Sequence, residues 1–511
     1  MKKLIYMACL AVAATFTSCD DFLTVSSPDK LTTGNFWRNQ SDAEATLASA
    51  YAQLYHGDSY ATSEVRWPVE AYRTDLYDLG TDATNYSNWT DLYKFTYTNG
   101  NTQFSYYYQD LYRGINFANQ VLEYTPLIPA ENISEAKRKE IIAEAHFLRG
   151  YYHMMLVLNW EKIIIRDTYL SNAADLNKPL SPRTDCWDLV VKELEEATEL
   201  PATRPSEELG RATKGAANAY LGFAYLTRAY EEPAKESDYL SKALNALNAV
   251  QGYSLVGGKQ LLQMFNGHNK NCAESIFELQ YSNNTTNGAR YYSWMQFFIA
   301  CTEMGGWDEI LPGKKLINEF KKEGRKADGY YDQRLYNTIV LDDSYFNGDP
   351  NGELIYGKYT YNDLFGVTPV GEEGRAGFRR FVPEDEDELW ERATINIPLM
   401  RYANVMLMKA EILNKQGHPE QAIPLINEIR KVHGNMPAMT GTTQAEVQAQ
   451  IEHERIVEFP LESYRWYDLR RWGKLSEALQ GRGYVAGKHD FYPIPLWEVN
   501  ANSALNDLAT E

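Results

Sequence analysis

The chain has 511 residues, 44% of them hydrophobic, and a formal charge of −19 at neutral pH. So acidic a polymer repels phosphate backbones, which excludes nucleic acid as an expected partner. Its five cysteines form no C-x-x-C pair and support neither a disulfide framework nor a zinc site.

Lys2 and Lys3 precede an apolar run from Leu4 to Phe16 that is too short to span a bilayer and has the plan of a secretory signal. Thr17, Ser18 and Cys19 close it in the pattern of a lipoprotein signal, with Cys19 as the lipidated first mature residue, although Phe16 stands where an aliphatic residue is more usual. Loss of residues 1–18 removes two lysines and moves the charge from −19 to −21. No other segment is apolar enough to cross a membrane. The acidity, together with 37 tyrosines and 11 tryptophans, points to an exported protein that handles something neutral and polar.

After an aperiodic stretch, Ser41 and Glu44 have the spacing of a capping box for a helix bearing Leu47, Ala48, Tyr51, Leu54 and Tyr55. Residues 57–101 mix turn formers with Trp67, Tyr72, Tyr77, Tyr86, Trp89 and Tyr93 and read as a long loop region of the kind that carries function. Helical periodicity returns at 103–124, 134–160, 185–200, 213–231 and 237–250, with Asp185 and Thr213 as N-caps. From 253 to 395, short apolar runs such as 275–281 and 353–361 lie between Gly, Asn and Asp clusters and read as small strands and long loops. Helices resume at 397–416, 419–433 and 443–459. Ala410, Gly417, Ala422, Ile426 and Ile429 have the spacing of a tetratricopeptide repeat, a helix–turn–helix unit that stacks into a superhelix.

The stretch 451–473 interleaves both signs of charge with large aromatics. Glu452, Arg455 and Glu458 recur every three residues, and Arg465 and Asp468 repeat that interval, so on a helix they are surface neighbours able to pair. Pro460 ends the first helix there, and Gly473 ends a second short one from about Ser463. Two amphipathic helices whose charges face water are the plainer reading of the same pattern.

SCDDFL (18–23), IIAEAHFLRGYYHMMLVLNW (141–160), DLVVKELEEATELP (188–201), GRATKGAANAYLGFAYL (210–226), RYANVMLMKAEILNKQG (401–417), LINEIR (425–430), the 451–473 stretch and FYPIPLWEVNANSAL (491–505) follow one another in a fixed order. Together they resemble the SusD/RagB family of outer-membrane nutrient-binding lipoproteins over nearly the whole length. The chain departs from the family at 161–170, which lacks the usual Gly and Pro, at Pro460 and Ser463, and at Asn506-Asp507.

The resemblance implies a mainly α fold: a superhelix of tetratricopeptide-like helical pairs with an irregular, loop-rich, small-strand second half. After the signal (1–18), it divides the chain into a helical region (19–252) and a C-terminal region (253–511), the latter with a loop-rich insert at 253–395 and helices at 396–480. It implies a non-catalytic glycan-binding lipoprotein that delivers its ligand to a SusC-like TonB-dependent transporter. The protein would be anchored in the outer membrane by palmitate-type acylation of Cys19 and exposed at the cell surface, with Asp20 and Asp21 resembling surface-export signals. A peptide-binding lipoprotein of a RagB-like importer is the alternative. A glycoside hydrolase would need two positioned carboxylates, and no motif places such a pair.

Sugar rings stack on exposed aromatic planes with polar groups at the rim. Within 71–89, Arg73 and Trp89 match the family's glycan platform; within 289–309, Trp307 and Tyr291 do, while Trp294 reads as core. In the same pattern Arg455, Glu458, Arg465, Asp468 and Arg471 form a structural lock that docks the last helices. No cofactor is implied. The acidic run Glu384–Glu388 is a weak calcium candidate, because Leu389 stands where an EF-hand loop needs its next ligand. His453-Glu454 opens like a zinc helix, but Val457 replaces the second histidine.

Overall fold

Helix α1 (Gln40–Ala52) begins at Asn39, whose side chain accepts a hydrogen bond from the Asp42 N–H at 3.2 Å. The Ser41–Glu44 box does not form, because the helix already runs from Gln40 and Ser41 lies inside its first turn. The computed structural model describes residues 36–55, 66–170, 172–282, 294–389 and 394–510; the signal segment, Cys19 and Tyr291 fall outside them. The longer helices that follow in the first half are α2 (Thr102–Tyr124), α3 (Glu135–Asn159), α4 (Arg183–Glu196), α5 (Lys214–Glu231) and α6 (Glu236–Asn248). Thr213 caps α5 by accepting from the Ala216 N–H at 3.2 Å. Asp185 is not a cap: α4 starts two residues earlier, after Pro182, and Asp185 instead places its charge in the first turn, where the helix dipole favours it.

Each of these helices packs on the next, and α6 packs on α7 (Tyr402–Lys415), which continues into α8 (Pro419–Val432) and α9 (Gln444–Glu458). Gly417, at φ +86°, makes the turn between α7 and α8. The chain is thus a mainly helical, tetratricopeptide-like array. Every residue of α5 from Gly215 to Ala229 is buried, as expected of a helix enclosed on all sides. In α2, a Cβ at Gly114 would lie 2.3 Å from the Tyr152 ring, so only glycine lets α3 approach this closely. Helix α10 (Arg465–Arg471) follows Pro460 and stops before Gly473, at φ +68°. Among the described residues, no helix is long and apolar enough to cross a membrane.

Among the described residues, six short strands pair antiparallel in three ribbons: β1 (Tyr77–Leu79) with β3 (Ile310–Pro312), β2 (Ser275–Leu279) with β6 (Ile397–Arg401), and β4 (Ile339–Val340) with β5 (Gly377–Phe378). Residues 397–401, expected to begin a helix, are strand β6; all five are buried, so no alternation marks them as a strand. Conversely, 353–361 is not a strand but a turn closed by one bridge between Ile355 and Tyr359, followed by the short helix Tyr361–Phe365. The region 57–101 also holds two short helices, Arg66–Ala71 and Ser87–Lys94.

A buried ionic core ties the irregular segments to the array. Arg401, at the end of β6, donates to Glu274 at 2.7 Å, Glu458 at 2.6 Å and Glu462 at 2.7 Å. Arg334 lies 2.9 Å from Glu458, 2.7 Å from Glu454 and 2.6 Å from Asp332. His433 bridges Glu458 through Nδ1 at 2.8 Å and Glu274 through Nε2 at 3.0 Å. Arg455 donates to Asp468 at 2.7 Å, Arg471 to Glu411 at 2.7 Å and to Asp468 at 3.0 Å, and Arg465 to Asp75 at 2.7 Å. The charges of 451–473 therefore reach mostly across the fold rather than along one helix face, and Glu452 takes Lys474 instead of Arg455.

Burial by itself would lower the His433 pKa, but the Glu274 and Glu458 carboxylates raise it to about 9. Because this exceeds the unfolded value of about 6.5, protonated His433 stabilises the fold fully below about pH 6.5, and that contribution is lost as pH rises through about 9. Melting temperatures should therefore fall more steeply between about pH 7 and about pH 10 in the parent than in His433→Gln, which lacks this proton. Equal slopes would contradict the assignment.

Candidate functional site

The two segments singled out for glycan contact, 71–89 and 289–309, meet through the β1–β3 ribbon, with Tyr77 opposite Pro312 and Leu79 opposite Ile310. The pairing continues beyond the strands: the Gly80 N–H donates to the Glu309 carbonyl at 3.0 Å, and the Thr81 N–H to the Asp308 carboxylate at 2.8 Å. The Tyr72 hydroxyl also donates to the Glu309 carbonyl, at 2.7 Å. A Cβ at Gly80 would lie 1.7 Å from the Asp308 carbonyl oxygen, so the crossing requires glycine. On the other side, the Trp307, Asp308 and Glu309 N–H groups donate to carbonyls of Phe297, Ala300 and Phe298, which clamps this segment to the helix Met295–Ile299.

The junction gathers aromatic rings in two layers. Trp89 is buried at 1% exposure, stacked under Tyr86 with ring centroids 4.5 Å apart and edge-on to Phe298 at 5.4 Å. Phe298 contacts Trp307 edge-on at 5.0 Å, and Phe297 stacks on Trp307 at 5.1 Å. Trp294 lies nearly parallel to Trp307, at 6.1 Å and 13°. The half-buried rings are Tyr86, Trp294 and Trp307, resting on buried Trp89, Phe297 and Phe298.

This arrangement corrects two expectations. Trp89 offers no face to a ligand, because its ring fills the space beneath Tyr86. Arg73 is likewise buried: its guanidinium sits over Trp466 at 4.3 Å and Tyr492 at 4.6 Å and donates to the Asn159 side chain, so it joins the first helices to the C-terminal segment. Trp307 does reach the surface, while Tyr291 lies outside the described residues. Sequence reasoning passed over Tyr86 and assigned Trp294 to the core. The available signal was position: Tyr86 immediately precedes the helix Ser87–Lys94, and Trp294 immediately precedes Met295–Ile299, so each sits where a loop delivers a ring to the surface.

Polar groups surround the face. Asp82 belongs to the single turn Asp82–Asn85 that leads into Tyr86. Glu303 and Asp308 both pair with Arg375. Glu309 is 1% exposed, and one of its carboxyl oxygens has no hydrogen-bond partner. Burial, then the neighbouring Asp82 and Asp308, push its carboxyl up to about 8.

Two concavities among the described residues of the second half lie away from this face. One of about 360 Å³ is lined by Lys259, Glu353, Tyr356, Arg379 and Glu384, and touches the aromatic segment only through Met304. Another, of about 530 Å³, is lined by Lys315, Glu319, His453, Arg465 and Lys474. The half-buried rings of the aromatic face are the planes suited to stacking. Glu274, His433 and Glu458 lie close enough to hold a metal ion, as do Glu323, His453 and Glu454, but Arg401, Arg334 and Arg430 already occupy these carboxylates. In the run 384–388, Glu384 faces Lys259, Asp385 and Glu386 face Lys358, and Glu388 faces His268, so the run does not converge on one point.

The sequence pattern of the SusD family matches residues 273–507, and the pattern described as starch-binding associating with outer membrane matches residues 21–226. The chain belongs to the SusD/RagB family. It is 24% identical to SusD-like protein P2 of Formosa agariphila over 97% of both chains. A SusD superfamily structure from Bacteroides vulgatus superposes with a TM-score of 0.78 at 25% identity, covering 92% of this chain and 98% of that one. A laminarin-binding SusD-like protein superposes with a TM-score of 0.72 at 21% identity, over 91% and 98% of the two chains. As a SusD/RagB member, this chain forms the aromatic face where the loop-rich half crosses back onto the helical half.

Proposed function

We propose that the protein is a non-catalytic, outer-membrane glycan-binding lipoprotein that captures oligo- or polysaccharide and passes it to a SusC-like TonB-dependent transporter. The observation that carries this reading is the face formed by Tyr86, Trp294 and Trp307: three half-buried rings, rigidly backed from below, with carboxylates and an arginine at the rim. Such planes offer stacking surfaces to sugar C–H faces at little conformational cost. The laminarin-binding relative and the family description of association with the outer membrane support the same reading. Acylation of Cys19 would hold the protein at the membrane, each buried methylene contributing about 0.8 kcal/mol.

Binding in the micromolar to millimolar range, about −8 to −4 kcal/mol, suits a ligand that must be released onward. Trp307→Ala, and Trp294→Ala with it, should weaken retention in affinity gels containing laminarin, dextran, pullulan or mannan by about tenfold or more, ~1.4 kcal/mol. The far-ultraviolet circular dichroism and melting temperature should stay close to those of the parent, because both rings are half-exposed. Unchanged retention of the double variant on every glycan that the parent binds would place the site elsewhere.

A further inference from the structure

The aromatic face carries an electrostatic filter. Its two segments bring Asp82, Glu303, Asp308 and Glu309 to one junction, and among the described residues the guanidinium of Arg375 is shared there between Glu303 and Asp308. Arg375 therefore has little capacity left for an incoming anion. A ligand carboxylate or sulfate lying on Trp307 would meet like charge at the rim, from Asp82 and from the Glu303–Arg375–Asp308 group, which holds two carboxylates to one guanidinium. A neutral sugar meets the partly exposed Asp82 and Glu303 as hydrogen-bond acceptors for its hydroxyls.

We propose that this face accepts uncharged glycans and rejects those bearing carboxylate or sulfate groups. The inference rests on the glycan-binding reading and sharpens it to a substrate class.

The test uses the mature protein and a panel of neutral polysaccharides (laminarin, dextran, pullulan and mannan), each beside its carboxymethylated, sulfated and hydroxyethylated derivatives, in affinity electrophoresis and isothermal titration. For any parent glycan that binds, the anionic derivatives should bind about tenfold more weakly or worse at low ionic strength, and the gap should narrow at about 0.5 M salt. The uncharged hydroxyethyl derivative, which adds similar bulk, should stay near the parent. Glu303→Gln with Asp82→Asn should narrow the gap without salt, because it frees Arg375 and removes two rim charges; both side chains are partly exposed, so the fold should persist. Anionic derivatives that bind as well as or better than their parents would overturn the inference while leaving the glycan reading intact. A protein that binds no member of the panel, charged or neutral, would overturn the glycan reading and this inference with it.

Discussion

Replacing Glu458 by alanine should cost the fold about 3–5 kcal/mol, measured as a lower midpoint in urea unfolding. Glu458 is fully buried and accepts from Arg401 at 2.6 Å, His433 at 2.8 Å and Arg334 at 2.9 Å. Burial would raise its pKa, but protonated His433 and the two arginines hold the carboxyl well below the usual range. Deleting it leaves three buried cations sharing the remaining carboxylates of Glu274, Glu454, Glu462 and Asp332. The large effect comes from the buried Arg401, Arg334 and His433 donors that lose their acceptor at Glu458; exchanging a whole buried ionic cluster for apolar groups need not be so harmful. The position is also topologically central. Through Glu458, α9 holds the end of β6, the helix Gln333–Thr338 and the residue following α8, segments far apart in sequence. A loss below about 1 kcal/mol would show that the cluster behaves like a screened surface network.

Trp89→Ala should destabilise by a similar amount, about 3–5 kcal/mol, because it removes a fully buried indole from between Tyr86, Trp67 and Phe298. The decisive comparison is with Trp307→Ala. The Trp89 variant should melt well below the parent, whereas the Trp307 variant should melt near it and lose glycan retention. A Trp89 variant with parental stability and no glycan binding would return Trp89 to the ligand-contacting role expected from its sequence position. Arg73 belongs with Trp89: its guanidinium, sandwiched over Trp466 and Tyr492, packs the N-terminal helices against the C-terminal segment and faces no solvent.

The helical array was legible because α2, α3 and α5 carry apolar residues at helical spacing over many turns, and Thr213, Pro460 and Gly473 mark boundaries through local backbone chemistry. Cap positions slipped by two residues at Asn39 and by three at Pro182, where several polar side chains compete for one helix start. Strand β6 was hidden because five consecutive buried residues leave no alternating pattern to distinguish strand from buried helix.

The candidate site divided along the same line. Sequence alone singled out 71–89 and 289–309, since both are rich in aromatics and broken by turns. It could not decide which rings they expose. That choice depends on the β1–β3 pairing between residues some 230 positions apart, which presses Trp89 and Phe298 together and leaves Tyr86, Trp294 and Trp307 at the edge of the core. Nor could the charge ladder of 451–473 name its partners, because Arg401, His433, Arg334, Asp75 and Glu411 reach it only once the fold has closed. Local spacing fixes helices and turns, whereas burial and ion pairing are set by contacts between distant segments, and these only the tertiary structure decides.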